Sequence, residues 1–169
     1  SDVYKRQGQQ GLPDMIIQTD YRIPSAFPGY TLLLRNKCDN AGSPRSQRYT
    51  VLFVHGATYG SSDTFDYQMS GQSWMDHLAA QQFDVWCLDL LGYGQSDRPA
   101  EMDQPAAANA PIVTTAHAIQ EVNHAVAFIL DLRQVGKLDL IGYSWGTAIC
   151  GGYAGQYPDN VDRLVLSGA

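Results

Sequence analysis

Gly142-Tyr143-Ser144-Trp145-Gly146 (GYSWG) joins an apolar, strand-like run, Lys137 to Ile141 (KLDLI), to a stretch rich in small residues, Trp145 to Tyr157. Glycines two residues either side of a serine suit a sharp strand-to-helix turn, where bulkier neighbours collide and the serine backbone is held in a strained conformation. Ser144 is therefore the candidate reactive residue, with Gly142 and Gly146 as the turn residues. Such a pattern also arises by chance in a chain with this Gly and Ser content. Its surroundings carry the reading.

Upstream, Thr114 to Gln134 repeats apolar residues at Ile119, Val122, Val126 and Ile129, with Ala125 and Phe128 widening the stripe, which predicts an amphipathic helix. Tyr49 to Val54 (YTVLFV) and Phe83 to Leu90 (FDVWCLDL) are nearly continuous apolar runs, as expected of strands covered on both faces. Between them Ser73 to Gln82 places Trp74, Met75, Leu78 and Ala79 at helical spacing. Met15 to Ile17 reads as a short edge strand, Tyr30 to Arg35 as a second, and Asp39 to Gln47 as turn formers before the third, giving an opening β-meander. Pro99 to Pro111 is a long connection at a strand's carboxyl end, suited to bordering a cleft. Downstream, Pro158 stops the helix and Val161 to Leu166 forms a last strand. Gly151, Gly152 and Ala154 are expected to bring that helix close to the sheet.

Strands alternating with helices predict an α/β fold, a mainly parallel sheet with helices on both faces and ligands at the strands' carboxyl ends. His55 to Thr58, Gly92 to Ser96 and Ser144 all fall there. At 169 residues one domain is expected. The formal net charge of −6 offers no basic face to a nucleic acid or an anionic membrane, so a small-molecule partner is expected. No run reaches the roughly 18 to 20 apolar residues of a membrane span. Cys38, Cys87 and Cys150 are odd in number and widely spaced; Cys87 and Cys150 read as small buried hydrophobes, a usage that leans towards a reducing, cytoplasmic compartment. Ser1 to Gln7 (SDVYKRQ) resembles a translated sequencing adapter, leaving residues 8–169 as the native part of the domain.

FVHGAT at 53–58, LDLLGYGQSDRP at 88–99 and IGYSWGT at 141–147 together resemble the three characteristic loops of the α/β-hydrolase superfamily, in family order. Within the superfamily it looks like the bacterial stand-alone hydrolases of esterase, lipase or peptidase type. The resemblance implies Ser144 as nucleophile on an elbow formed with Gly142 and Gly146. It implies an oxyanion hole from the backbone N–H groups of Ala57 and Trp145, with Thr58 as a second-rank donor. The family's triad acid and histidine come later in the chain, so the sequence reads as an N-terminal part, truncated after about the sixth strand and inactive by itself. Haloalkane dehalogenases and epoxide hydrolases carry aspartate at the elbow, where Ser144 stands here. The expected function is hydrolysis of an ester, with amide or carbon–carbon cleavage less favoured, through an acyl-enzyme. The alternative is a non-catalytic protein of the same fold that binds a small molecule or a partner.

Other polar residues have plainer readings. His55 belongs to a structural His-Gly turn, and His77 lies on a helix surface. His117, Glu121 and His124 share one helix face, read as solvated rather than as a metal site. Asp89, Ser96 and Asp97 are expected to brace their loop by hydrogen bonds. Asp63 and Asp66 are either substrate-amine ligands or ordinary loop polarity. Thr58, Tyr59 and Phe65 are candidate pocket residues, with Tyr67, Met69 and Trp145 beside them. No cofactor is expected, since neither Gly-x-Gly-x-x-Gly nor Gly-x-x-x-x-Gly-Lys-Ser/Thr occurs.

Overall fold

A computed structural model describes residues 16–39 and 49–168; the adapter-like segment and most of the turn-rich 39–47 stretch lie outside the described residues. The strands are β1 (Ile16–Pro24), β2 (Thr31–Asp39), β3 (Thr50–Val54), β4 (Asp84–Leu88), β5 (Leu138–Tyr143) and β6 (Val161–Ser167). The helices are α1 (Ser61–Phe65), α2 (Trp74–Ala80), α3 (Thr115–Arg133) and α4 (Trp145–Gln156). Short 3-10 turns at Ala100–Asp103 and Ala106–Ala108 punctuate the long connection after β4. The five-residue α1 was not foreseen, because polar Ser61 to Thr64 show no apolar repeat.

The strand order is β1-β2-β4-β3-β5-β6. β1 and β2 form an antiparallel hairpin, β2 runs antiparallel to β4, and β3, β4, β5 and β6 are mutually parallel. The expected meander is corrected in one respect: β4, not β3, lies beside β2. β3 instead takes the centre, where both neighbours are parallel strands. That agrees with its five residues being buried without exception.

Alternation along β3 and β4 divides the core. Leu52, Val54, Trp86 and Leu88 face one side, beneath Val122, Val126 and Ile129 of α3 and Ile149 of α4. Val51, Phe53, Val85 and Cys87 face the other, beneath Phe65 of α1 and Met75 and Ala79 of α2. Capping boxes start α2 at Ser73 with Asp76 and α3 at Thr114 with His117. At the far end of α3, Arg133 donates to Asp84 (2.7 Å) and Asn36 (3.0 Å) and lies over the Trp86 ring, 4.7 Å from its centroid. Asp84 also accepts from Trp86 Nε1 and Asn36 Nδ2, so this buried charge pair keeps the hydrogen bonds that burial demands.

Two expectations about helix faces are revised. Glu121 is fully buried: its carboxylate accepts from Ser25 Oγ (2.8 Å) and from the Leu91 N–H (3.0 Å). Burial pushes its pKa up, against the pull of those two bonds. It joins the β1–β2 turn to the loop after β4, while His117 caps α3 and His124 sits 3.1 Å from the Pro24 carbonyl. The small residues of α4 also act differently. A Cβ on Gly152 would meet Ile119 of α3 at 2.6 Å, whereas one on Gly151 would meet nothing; the close approach to the sheet is made at Gly146.

Candidate active site

The turn from β5 into α4 puts Ser144 at φ 53°, ψ −120°, a backbone conformation that L-residues seldom adopt. The flanking glycines permit it. A Cβ on Gly142 would lie 2.3 Å from the Gly146 carbonyl oxygen, and one on Gly146 would lie 2.3 Å from the Val54 carbonyl oxygen of β3. Both obstacles are backbone, which cannot step aside. The Ser144 N–H donates to the Ser167 carbonyl at the end of β6 (2.9 Å), and the Ser144 carbonyl accepts from the N–H (2.9 Å) and hydroxyl (2.6 Å) of Thr147. The serine side chain is left exposed at the start of α4.

The loop after β3 lies against it. A Cβ on Gly56 would sit 2.9 Å from the Ser144 Cβ, so only glycine lets the chain pass this close. His55 is fully buried beneath. Its Nδ1 is 2.6 Å from the Gly56 carbonyl, which can only accept, and its Nε2 accepts from the Leu90 N–H at 3.1 Å. These partners assign the neutral tautomer protonated at Nδ1. Burial lowers the His55 pKa below the ordinary histidine value, which favours that neutral form. The Gly56 carbonyl shares a planar peptide unit with the Ala57 N–H, so His55 fixes that donor's direction. Tyr93 adds a bond from its hydroxyl to the Ala57 carbonyl (3.0 Å), with its ring 4.6 Å from His55 and 6.4 Å from Trp145.

Asp89 ties the third loop in. Its carboxylate accepts from the Ser62 N–H (3.0 Å) and hydroxyl (2.8 Å) and from the Gln95 N–H (2.9 Å). Ser96 Oγ donates to the Asp89 carbonyl while accepting from the Leu33 N–H, and Asp97 accepts from the N–H and hydroxyl of Thr31. All three residues brace the loop, as expected. Gly94, at φ 51°, lies against Asp89, and a Cβ there would fall 2.1 Å from its carboxylate oxygen.

A hollow of about 360 Å³ opens over Ser144, walled by residues 56–59, Asp63, Thr64 and Tyr143. Ala57, Thr58 and Tyr59 border it. Phe65 does not: it is 1% exposed and stacks on Phe53 at 4.6 Å, supporting the loop from below. The Trp145 indole turns away as well, its Nε1 donating to Thr115 Oγ1 (3.0 Å). Tyr67 and Met69 are exposed outside the hollow, and Asp66 is occupied by Arg35, Lys37 and Ser73. The sequence reading missed Tyr143, whose position next to Ser144 was the available signal, and the bridging role of Tyr93. Among the described residues, neither the Ala57 nor the Trp145 N–H has an acceptor, and no histidine is hydrogen-bonded to Ser144. Cys38, Cys87 and Cys150 are all buried and free, and burial pushes the Cys150 thiol up to about 12. No group of three His, Cys, Asp or Glu side chains among the described residues is placed to hold a metal, and no described helix is long and apolar enough to cross a membrane.

A mixed sheet with its helices on both faces, and a glycine-flanked serine at the carboxyl end of its fifth strand, define an α/β-hydrolase architecture. The family model for the alpha/beta hydrolase fold matches residues 49–169, and the chain belongs to that family. Over 121 residues it is 31% identical to 2-hydroxymuconate semialdehyde hydrolase of Pseudomonas sp. strain CF600, a match covering 72% of this chain and 36% of that protein. Among solved structures it resembles the thioesterase domain from the curacin biosynthetic pathway (TM-score 0.62, 19% identity, 88% of this chain and 43% of that one). It also resembles epoxide hydrolase VrEH1 from Vigna radiata (TM-score 0.63, 16% identity, 93% and 39%). The chain spans between 22% and 36% of the length of the curated relatives it matches.

Proposed function

We propose that this chain carries the nucleophile and oxyanion hole of a serine hydrolase acting on an ester by way of an acyl-enzyme. The observation that carries the reading is an exposed Ser144 in a strained turn on the same hollow as Ala57, whose backbone N–H, like that of Trp145 next to Ser144, has no acceptor among the described residues. A base takes the Oγ proton as the oxygen adds to the carbonyl carbon. The carbonyl oxygen becomes an anion held by the two N–H donors, with the positive end of the α4 dipole beside it. Collapse expels the alcohol, which takes up the proton, and water then cleaves the acyl-serine by the same route.

Among the described residues no histidine is hydrogen-bonded to Ser144, and His55 is buried with both ring nitrogens engaged. The proposal therefore assigns the base and its acid partner to other parts of a longer protein, and expects the present chain alone to turn over nothing. A fluorophosphonate probe tests the reading on the full-length protein. Labelling at Ser144, lost in Ser144→Ala, is expected; folded full-length protein that stays unlabelled would overturn it and leave the non-catalytic alternative.

A further inference from the structure

Among the described residues, the wall of the hollow over Ser144 has one formally charged side chain, Asp63, and no lysine or arginine. Asp63 is exposed on α1, and no described residue is hydrogen-bonded or ion-paired to it. Its neighbour three positions on behaves differently. Asp66 is clamped by Arg35 (3.0 Å), Lys37 (2.5 Å) and Ser73 (2.7 Å), and the same two cations also bind Asp20 and Asp76. Arg35 and Lys37 are thus engaged by carboxylates other than Asp63. Asp63 faces the hollow unmatched.

A carboxylate with no counter-ion at the edge of a partly enclosed site acts on whatever enters. The surrounding protein lowers the effective dielectric, so an incoming anion is repelled and a cation attracted more strongly than in bulk water. Thr64, Thr58 and Tyr59 on the same wall add hydroxyl groups, which accommodate either sign, so the discrimination falls to Asp63. We infer that Asp63 determines charge specificity at this site, favouring substrates whose acyl arm ends in a cation or an uncharged donor and disfavouring those that end in a carboxylate. The inference rests on the reading of Ser144 as the nucleophile, which sets where the acyl arm lies, and it deepens that reading by naming a substrate class.

The test uses the full-length protein and three p-nitrophenyl esters with acyl chains of equal length ending in tert-butyl, carboxylate or trimethylammonium groups. Relative to the tert-butyl ester, kcat/KM is expected to be higher for the cation and lower for the anion. The cation-to-anion ratio is expected to fall about tenfold in Asp63→Asn and to invert in Asp63→Lys, and added salt should compress it in the parent protein. A ratio that neither substitution moves, or a parent preference for the anion, overturns the proposal. Calorimetric binding of the same uncleaved esters to Ser144→Ala protein separates the two readings. If that variant binds with the stated charge order while the parent cleaves none of the esters, the hydrolase reading fails and Asp63 stands. If esters are cleaved without charge order, or none binds, Asp63 is overturned.

Discussion

Two segments meet at the hollow and are held in place by opposite means. The turn at Ser144 is permitted by missing atoms, since Gly142 and Gly146 lack the Cβ that would strike backbone at 2.3 Å, and its bonds run to Ser167 and Thr147. The loop at residues 55–62 is held by polar bonds from outside, through His55 to the Leu90 N–H, Asp89 to Ser62 and Tyr93 to the Ala57 carbonyl. Steric exclusion is all-or-none. A hydrogen-bonded brace is distributed, and it loosens in steps as its members are removed.

The steepest break in that contrast is Gly146→Ala. Its Cβ meets the β3 backbone at the Val54 carbonyl, so neither rotamer change nor side-chain motion relieves it. A loss of about 3–5 kcal/mol of stability is expected, seen in urea melts as a lowered midpoint or as failure to recover soluble protein. A melt within about 0.5 kcal/mol of the parent would show that the turn is not held by steric exclusion.

Asp89→Ala comes next. It strips partners from the buried Ser62 N–H and hydroxyl and from the Gln95 N–H, and about 2–3 kcal/mol is expected. Because the loop has other braces, the variant should still fold, and the expected signature is faster amide exchange across residues 56–62 with the β5–α4 turn unaffected. Equal loosening of both segments would erase the distinction drawn above.

The gentlest probe is pH. The His55 pKa is lowered by burial below the ordinary value of 6.5, so the unfolded chain binds a proton more readily than the folded one. His55 therefore contributes stability that is complete above pH 6.5 and declines as pH falls from 6.5 towards the folded-state pKa. Denaturant melts of the parent and of His55→Asn should differ in slope across that window. Parallel curves would exclude His55 as a titrating brace.

The same division explains how much the sequence disclosed. Gly-x-Ser-x-Gly is legible because its residues are consecutive and the crowding of Gly142 against Gly146 acts within them, although Gly146 also answers to Val54 of β3, and the helix of 115–133 is legible because its apolar repeat is local too. The braces are not legible in that way, since Ser62 and Asp89, or Ser25 and Glu121, meet only once the sheet has formed. The sequence reading places Glu121 with His117, His124 and Asp131 on a solvated face, away from the Ile119–Val122–Val126–Ile129 stripe. The position of Glu121 three residues after Ala118 and four before Ala125, both fully buried, put it on the apolar stripe all along. The pairing of β2 with β4 was likewise hidden, because strand order in a parallel sheet is set by crossovers rather than by any strand's own residues. Phe65 was misplaced for a related reason: an aromatic residue beside a site loop packs into the core as readily as it lines a cavity, and only the third dimension tells which.

The bond from the Ser144 amide to the Ser167 carbonyl gives the proposed nucleophile a second identity, as a gauge. β6 is the outermost described strand on its side of the sheet, with Leu164, Val165 and Leu166 between 38% and 51% exposed. Its end must peel from β5 before that amide can exchange with solvent deuterium. The exchange lifetime of one proton, on the residue where chemistry is proposed, therefore measures how firmly the last strand is zipped to the rest of the molecule.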